Sequence, residues 1–246
     1  MIHFDSMNKK LKTVSLLLIT ACFLSTAVLS YAADKSSLLM LPTKSKTVYL
    51  LFLKMTGKAL NAESAIRTTE AFKKASGDEQ SRMLLTQKPA LQTEFNDIDP
   101  QRQVVVIRSG VNLKANLSPN PGLKASLSAQ SKPASSIYFP YSWGGTNIAL
   151  IPDKLEPFLD IPLKTTEAMA AAAKITNGSA TIVIEMLPLS ADPRSAMKLD
   201  GLDQWLLMTR IVSVAYYSDT MQTIWQWQAP DYRRAGAPSP LQDLKK

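Results

Sequence analysis

The two side chains that carry most nucleophilic and metal chemistry in proteins, cysteine and histidine, occur once each in this 246-residue chain, as Cys22 and His3. Both precede residue 33. Three lysines, Lys9, Lys10 and Lys12, are followed there by an uncharged run over residues 13–33. This order of basic, apolar and small residues is typical of a secretory signal. Its removal would leave no thiol, no imidazole, no Ser-His-Asp triad and no His or Cys zinc site. We therefore predict no metal site and no cofactor.

Three interpretations of this leader stay open, and all of them place the rest of the chain outside the cytoplasm. Ser30 and Ala32 occupy the two small-residue positions that a leader peptidase recognises, so cleavage after Ala32 would release a soluble protein starting at Ala33. Alternatively, Cys22 follows the small residues of a lipoprotein signal and would carry the lipid. In the third interpretation, a helix over residues 13–32 stays uncleaved as a membrane anchor.

Catalytic patterns that need neither cysteine nor histidine are weak. Ser195 and Lys198 match the Ser-x-x-Lys spacing of serine acyltransferases, but no Lys-Thr-Gly follows them. The carboxylates lie mainly in segments typical of turns, where aspartate bonds local backbone amides. We assign no catalytic residue. A hydrolase acting on envelope material through carboxylates or this Ser/Lys pair is kept as the alternative hypothesis.

Aromatic side chains form the clearest candidate binding surface. Four of them fall within six residues just before Gly144-Gly145, and two tryptophans lie two apart near the C-terminal end. Exposed rings beside amides such as Gln226 and Gln228 can hold a protein partner or a sugar, although the same rings can instead cover the open face of a sheet. The predicted binding residues are Tyr138, Tyr141, Trp143, Asn147, Trp225 and Trp227.

A charged pair is predicted inside the sheet. Glu185 stands in an apolar run over residues 180–187, and Arg210 holds a similar position in a second apolar run over 204–217. If these two strands pair, the side chains can meet across them. We predict a structural ion pair between Glu185 and Arg210.

The hydrophobic period changes near Pro100. Before it, helical spacing predicts helices over 47–55, over 61–75 and from Asp78 onward, with Pro89 kinking the third or opening a fourth. After it, β-branched runs predict strands, with a long loop over 113–136 and one alanine-rich helix over 165–174. The predicted strands are 103–108, 123–127, 146–151, 180–187, 204–217 and 224–227, of which the last three should form an antiparallel meander.

These patterns predict an α+β fold, in which N-terminal helices pack on a mainly antiparallel sheet formed by the C-terminal two-thirds of the chain. The longest strand is apolar on both faces, so we expect it to be central. The expected organisation is a signal peptide over 1–32, a polar linker over 33–46, a single α+β domain over 47–229 and a disordered tail over 230–246.

The charge pattern excludes some classes of partner. The chain has 28 basic and 20 acidic residues, a net charge of +8, but its lysines are scattered and never form a basic arm. We therefore predict no nucleic-acid binding, and membrane contact only through the N-terminal segment. The predicted function is that of an exported, periplasmic or envelope-associated, non-catalytic binding or assembly protein, whose partner is an envelope protein or a cell-wall glycan.

Overall fold

The computed structural model describes residues 41–127 and 137–233. In these ranges it confirms the α+β class, with five helices and a nine-stranded, mostly antiparallel sheet. No helix of the described ranges is long and apolar enough to span a membrane. The predicted signal peptide, Cys22, most of the linker and most of the tail lie outside the described residues.

The helices come first in the chain, apart from the last of them. They are α1 (Ser45–Thr56), α2 (Ala62–Arg67), α3 (Glu70–Lys74), α4 (Gly77–Asp97) and α5 (Thr165–Ala172), with a single 3-10 turn over Glu156–Phe158. The strands are β1 (Val105–Asn116), β2 (Gly122–Leu127), β3 (Phe139–Trp143), β4 (Thr146–Asp153), β5 (Asp160–Pro162), β6 (Ser179–Ala191), β7 (Met197–Leu199), β8 (Leu202–Tyr217) and β9 (Thr223–Gln228).

Strand β8 is the centre of the sheet. The strand order is β3-β4-β8-β6-β1-β2-β5, and β7 and β9 also pair with β8. Because β6 and β9 both run antiparallel to β8, the predicted C-terminal meander and its central strand are confirmed. Strand β4 is the exception to the antiparallel pattern, since it pairs with β8 in parallel, with Ile148 opposite Trp205.

The main core lies between the sheet and its helices. Every residue of α1 from Val48 to Leu53 is buried, so this helix has no solvent face over that stretch. It meets alternate side chains of the sheet, and α5 adds Ala171 to the same cluster. Alternate residues of each strand form that inner face, as a period of two requires; in β6 and β8 they include Ile182, Ile184, Met186, Leu207, Val214 and Tyr216.

Several predicted boundaries are wrong, and each has a local cause. Thr69 accepts a hydrogen bond from Phe72 N at 3.3 Å and caps a new helix, so the predicted helix over 61–75 is divided into α2 and α3. Pro89 does not start a new helix, because α4 runs through it; the proline is exposed, so water can bond the carbonyl group that its missing N–H leaves free. Strand β1 also continues to Asn116, into the predicted loop.

Two of the predicted strands end just before a proline, at Pro152 and Pro188, but both prolines lie inside strands, in β4 and β6. Pro188 lies beyond Met186, the last residue of β6 that pairs with β1. On that side of the strand there are therefore no backbone hydrogen bonds for the proline to interrupt. Pro152 likewise lies beyond Leu150, where the pairing of β4 with β3 ends. A proline is tolerated at such positions because its missing N–H would face no partner strand.

The ends of the domain reach further than predicted. Thr43 N donates to Val106 O at 2.9 Å and Val106 N donates to Thr43 Oγ1 at 2.8 Å, so the end of the predicted linker is attached to β1. The first residues of the predicted tail are also folded. Tyr232 is buried and Asp231 forms an ion pair with Arg210. The described domain therefore extends beyond 47–229 on both sides.

Candidate functional site

The first aromatic cluster lies mainly on strand β3. Tyr141 and Trp143 of β3 turn toward the helices, where the Trp143 ring lies 5.1 Å from the ring of Tyr49. Burial raises the pKa of Tyr141 to about 12, because the phenolate would lose its hydration. Tyr138 is buried and its hydroxyl donates to Asp200. Trp143 also lines an open groove.

The C-terminal tryptophans also pack inward. The Trp225 ring lies 6.2 Å from that of Tyr216, and the Trp227 ring lies 4.8 Å from that of Phe158. Neighbouring strand residues point to opposite faces, so Gln226 projects away from both rings. Asn147 is separated from Trp143 in the same way, since it is adjacent to the inward-facing Ile148. Trp227 nevertheless lines a concavity of the sheet together with Gln226 and Gln228.

The predicted ion pair between Glu185 and Arg210 is wrong. In the β6–β8 ladder, Glu185 lies opposite Ser213 and Arg210 lies opposite Leu187, with a bulge between the two positions. Arg210 Nη1 instead bonds Asp231 Oδ2 at 2.8 Å. That partner depends on the chain folding back after β9, which no strand pattern indicates. This contact lowers the pKa of Asp231, chiefly through the hydrogen bond from Arg210.

A groove between the N-terminal helices and β3, here called the helix groove, is the candidate site that includes Trp143. It has a volume of about 510 Å³, within the range of about 300–1,000 Å³ typical of ligand pockets. One wall is a single face of α4, in residues spaced three and four apart: Met83, Thr86, Gln87, Ala90, Leu91 and Glu94. Ile66, Thr69 and Ala71 form the facing wall, and Trp143 lines the groove from the sheet.

Helix α4 buries little of its own surface along the helix groove. Of its 21 residues only Leu91 is buried, although helices of globular proteins usually bury one apolar stripe. Its ends are held by polar contacts. Gln80 Nε2 donates to Phe72 O at 3.0 Å, and Lys46 Nζ lies 2.6 Å from Glu94 Oε1. These two anchors are 14 residues apart, about 21 Å along the helix axis at 1.5 Å per residue.

A three-residue charge cluster ties α4 to α2 at its middle. Glu63 accepts hydrogen bonds from Lys88 at 2.8 Å and from Arg67 at 2.8 Å. These two bonds, with that from Lys88 the larger cause, hold the pKa of Glu63 down at about 2. The cluster therefore joins one wall of the helix groove to the other at neutral pH.

Glutamine at position 63 is expected to lower stability in a pH-dependent way. Because the folded pKa lies below the ordinary value of 4.5, the carboxylate stabilises the fold above pH 4.5, and this contribution is lost as the pH falls through about 2. The urea midpoints of Glu63→Gln and the unsubstituted protein should differ at neutral pH and converge near pH 2. Glu70→Gln, which removes an exposed pair within one helix, is the control. A difference that stays constant over this range would contradict the assignment.

A tight turn positions Trp143 at the helix groove. Gly144 and Gly145 join β3 to β4 with φ values of 61° and 74°, the left-handed pair that two-residue hairpins require. A Cβ on Gly144 would lie 3.2 Å from Tyr49 Cζ and 3.2 Å from Ala65 Cβ. The turn is therefore fitted against both α1 and α2.

Alanine at position 144 should cost more stability than alanine at position 201. Gly201 has a φ of 81° but no atom within 4 Å of an added Cβ, so its replacement should cost about 1–2 kcal/mol of strain alone. Gly144→Ala adds crowding, which typically costs a further 1–3 kcal/mol. Urea unfolding of the two variants gives the difference. Equal losses would show that Tyr49 and Ala65 move aside freely.

The alternative catalytic residues are not brought together into a cleft. Ser195 is exposed before β7, and Lys198 is exposed within β7, opposite Asp203 of β8. Among the described residues, no three or more His, Cys, Asp or Glu side chains are grouped as metal ligands. Nothing in this arrangement favours the hydrolase alternative.

Fold and site together define an α+β domain with a groove beneath an exposed helix. No family model, no curated protein and no solved structure matches this chain.

The sequence pattern did not lead us to predict that residues of α4 line a groove. The signal that predicts them is weak, since Met83, Ala90 and Leu91 share one helical face but Thr86 and Gln87 interrupt it. Whether such a face is buried against the domain or lines a gap depends on the packing of α4.

Proposed function

We propose that this protein is an exported, envelope-associated binding or assembly protein that holds a protein partner in the helix groove. The single observation that carries the proposal is the groove itself, which leaves one face of a long helix and the predicted residue Trp143 in contact with solvent-accessible space. The leader pattern over residues 1–32 supports export. The scattered, exposed carboxylates favour binding over catalysis.

A partner helix or side-chain cluster suits the lining of the helix groove. Ile66, Met83 and Leu91 offer apolar contact, and Trp143 belongs to the residue type most enriched where interfaces carry their binding energy. Thr69, Thr86 and Gln87 add hydrogen-bonding groups of the kind found around such a centre. A cell-wall glycan is less well served here, because the apolar residues are aliphatic rather than a set of exposed rings.

Photo-cross-linking in intact cells tests this proposal. A benzophenone amino acid replaces Thr86, which lines the helix groove, or Gln92, which is on the side of α4 turned away from the middle of the groove-lining face. We expect a discrete protein adduct from position 86 and none from position 92. The same adducts from both positions, or none from either in cells that export the protein, would contradict the proposal.

A further inference from the structure

A second concavity lies on the sheet face opposite the helices, and it is here called the sheet trough. Its origin is visible in the β-sheet register. Ser213 and Ala215 are small residues on β8, and they lie between Glu185 and Val183 of β6 on one side and Gln228 and Gln226 of β9 on the other. Short side chains between longer ones leave a channel along β8. The trough has a volume of about 330 Å³, room for about eleven water molecules at 30 Å³ each.

The lining of the sheet trough is polar but uncharged. Val183, Ala215 and the rings of Tyr217 and Trp227 give apolar contact, while Ser213, Gln226 and Gln228 provide a hydroxyl group and two amides. None of these lining side chains is charged, although Arg108 lies opposite Val183 and Glu185 lies opposite Ser213 in the sheet. The lining therefore offers hydrogen bonds and apolar contact, which suit a neutral ligand.

One of the two amides is fixed in place. Gln228 Nε2 donates to Tyr232 O at 2.6 Å, so its carboxamide is held at the rim by the folded end of the domain. A carboxamide carries both donors and an acceptor. A fixed amide loses less side-chain entropy when a ligand binds than a free one.

We propose that the sheet trough binds a neutral N-acetylated sugar. A sugar hydroxyl group can donate one hydrogen bond and can also accept. The N–H and C=O groups of an acetamido substituent can bond the C=O and N–H groups of a glutamine side chain. The C–H face of a pyranose ring can lie on Val183 and Ala215, whose side chains are too short to block it. This site is separate from the helix groove and does not depend on the function proposed for that groove.

A peptide strand is the competing neutral ligand, and the topology disfavours it. Peptides that bind to sheets usually add to a free backbone edge. Strand β8 has β6 on one side and β9 on the other along the sheet trough, so its backbone groups are already paired. Only side-chain groups face the trough, and these can bond the hydroxyl groups around a sugar ring.

Titration with chitotetraose, the tetramer of N-acetylglucosamine, tests the proposal by calorimetry and by amide chemical shifts. We expect saturable binding that Ala215→Leu, which fills the channel, weakens at least tenfold, and that Gln226→Ala weakens several-fold. Gln101→Ala, an exposed glutamine outside the sheet trough, and Trp143→Ala, in the helix groove, should bind as the unsubstituted protein does. Circular dichroism confirms that each variant is folded.

Three results would overturn the sheet-trough proposal. The first is no binding of chitotetraose, and the second is binding that Gln226→Ala and Ala215→Leu both leave unchanged. The third is binding of a neutral acetylated peptide with no binding of the sugar. None of these results bears on the helix groove, so the two proposals fail separately.

Discussion

Arginine at position 90 is expected to abolish partner binding in the helix groove while leaving the domain folded. Ala90 is exposed on α4 and lines the groove, so a long charged side chain there occupies the space that a partner needs. Arginine is a good helix former, and α4 should keep its structure. We expect the cross-link from position 86 to fall to background and the affinity for the captured partner to drop at least a hundredfold, about 2.7 kcal/mol.

The control for this substitution is Gln92→Arg. It places the same side chain on the same helix but on the face turned away from the helix groove, so it should bind normally. If Ala90→Arg and Gln92→Arg weaken binding equally, added positive charge is the cause and the groove is not the site. If neither weakens it, the partner binds elsewhere.

Alanine at position 52 is expected to lower the free energy of unfolding by about 3–5 kcal/mol. Phe52 is 1% exposed at the centre of α1, and its ring lies 5.8 Å from the ring of Trp205 on β8. The ammonium group of Lys58 lies 3.7 Å from the centre of the Trp205 ring and covers this contact from outside. Phe52 therefore joins the first helix to the central strand, and its loss leaves a cavity between them.

Urea unfolding measures this loss, and Phe95→Ala is its control. Phe95 is only half-buried near the end of α4, with Lys54 over its ring at 4.6 Å, so its removal should cost less than half as much. A loss below about 1 kcal/mol for Phe52→Ala would mean that α1 is not an integral part of the core.

Local patterns predicted the elements whose structure depends on their own residues. Strand β8 carries apolar side chains on both faces, such as Val214 and Ala215, and this alone indicates a central strand. Gly57 ends α1 with a φ of 66°, as expected of a glycine at a helix C-terminus. Asn61 caps the next helix, with Ser64 N donating to its side chain at 2.9 Å.

Features that depend on distant neighbours were not predictable in this way. Pro188 is tolerated in β6 because no residue of β1 pairs with it. This register is a property of the assembled sheet. The ion pair of Arg210 requires Asp231 to return from beyond β9. The helix groove depends on how far α4 stands from α2, which the amphipathic pattern of α4 does not determine.

Both proposed functions depend most on the proposed export, because removal of the predicted leader would take His3 and Cys22 from the working protein and place both proposed sites outside the cytoplasm. Cell fractionation followed by intact-mass measurement of the native protein tests export most directly. We expect a protein outside the cytoplasm whose mass corresponds to a chain starting at Ala33. A cytosolic protein that keeps Met1 or Met7 at its N-terminus would contradict it.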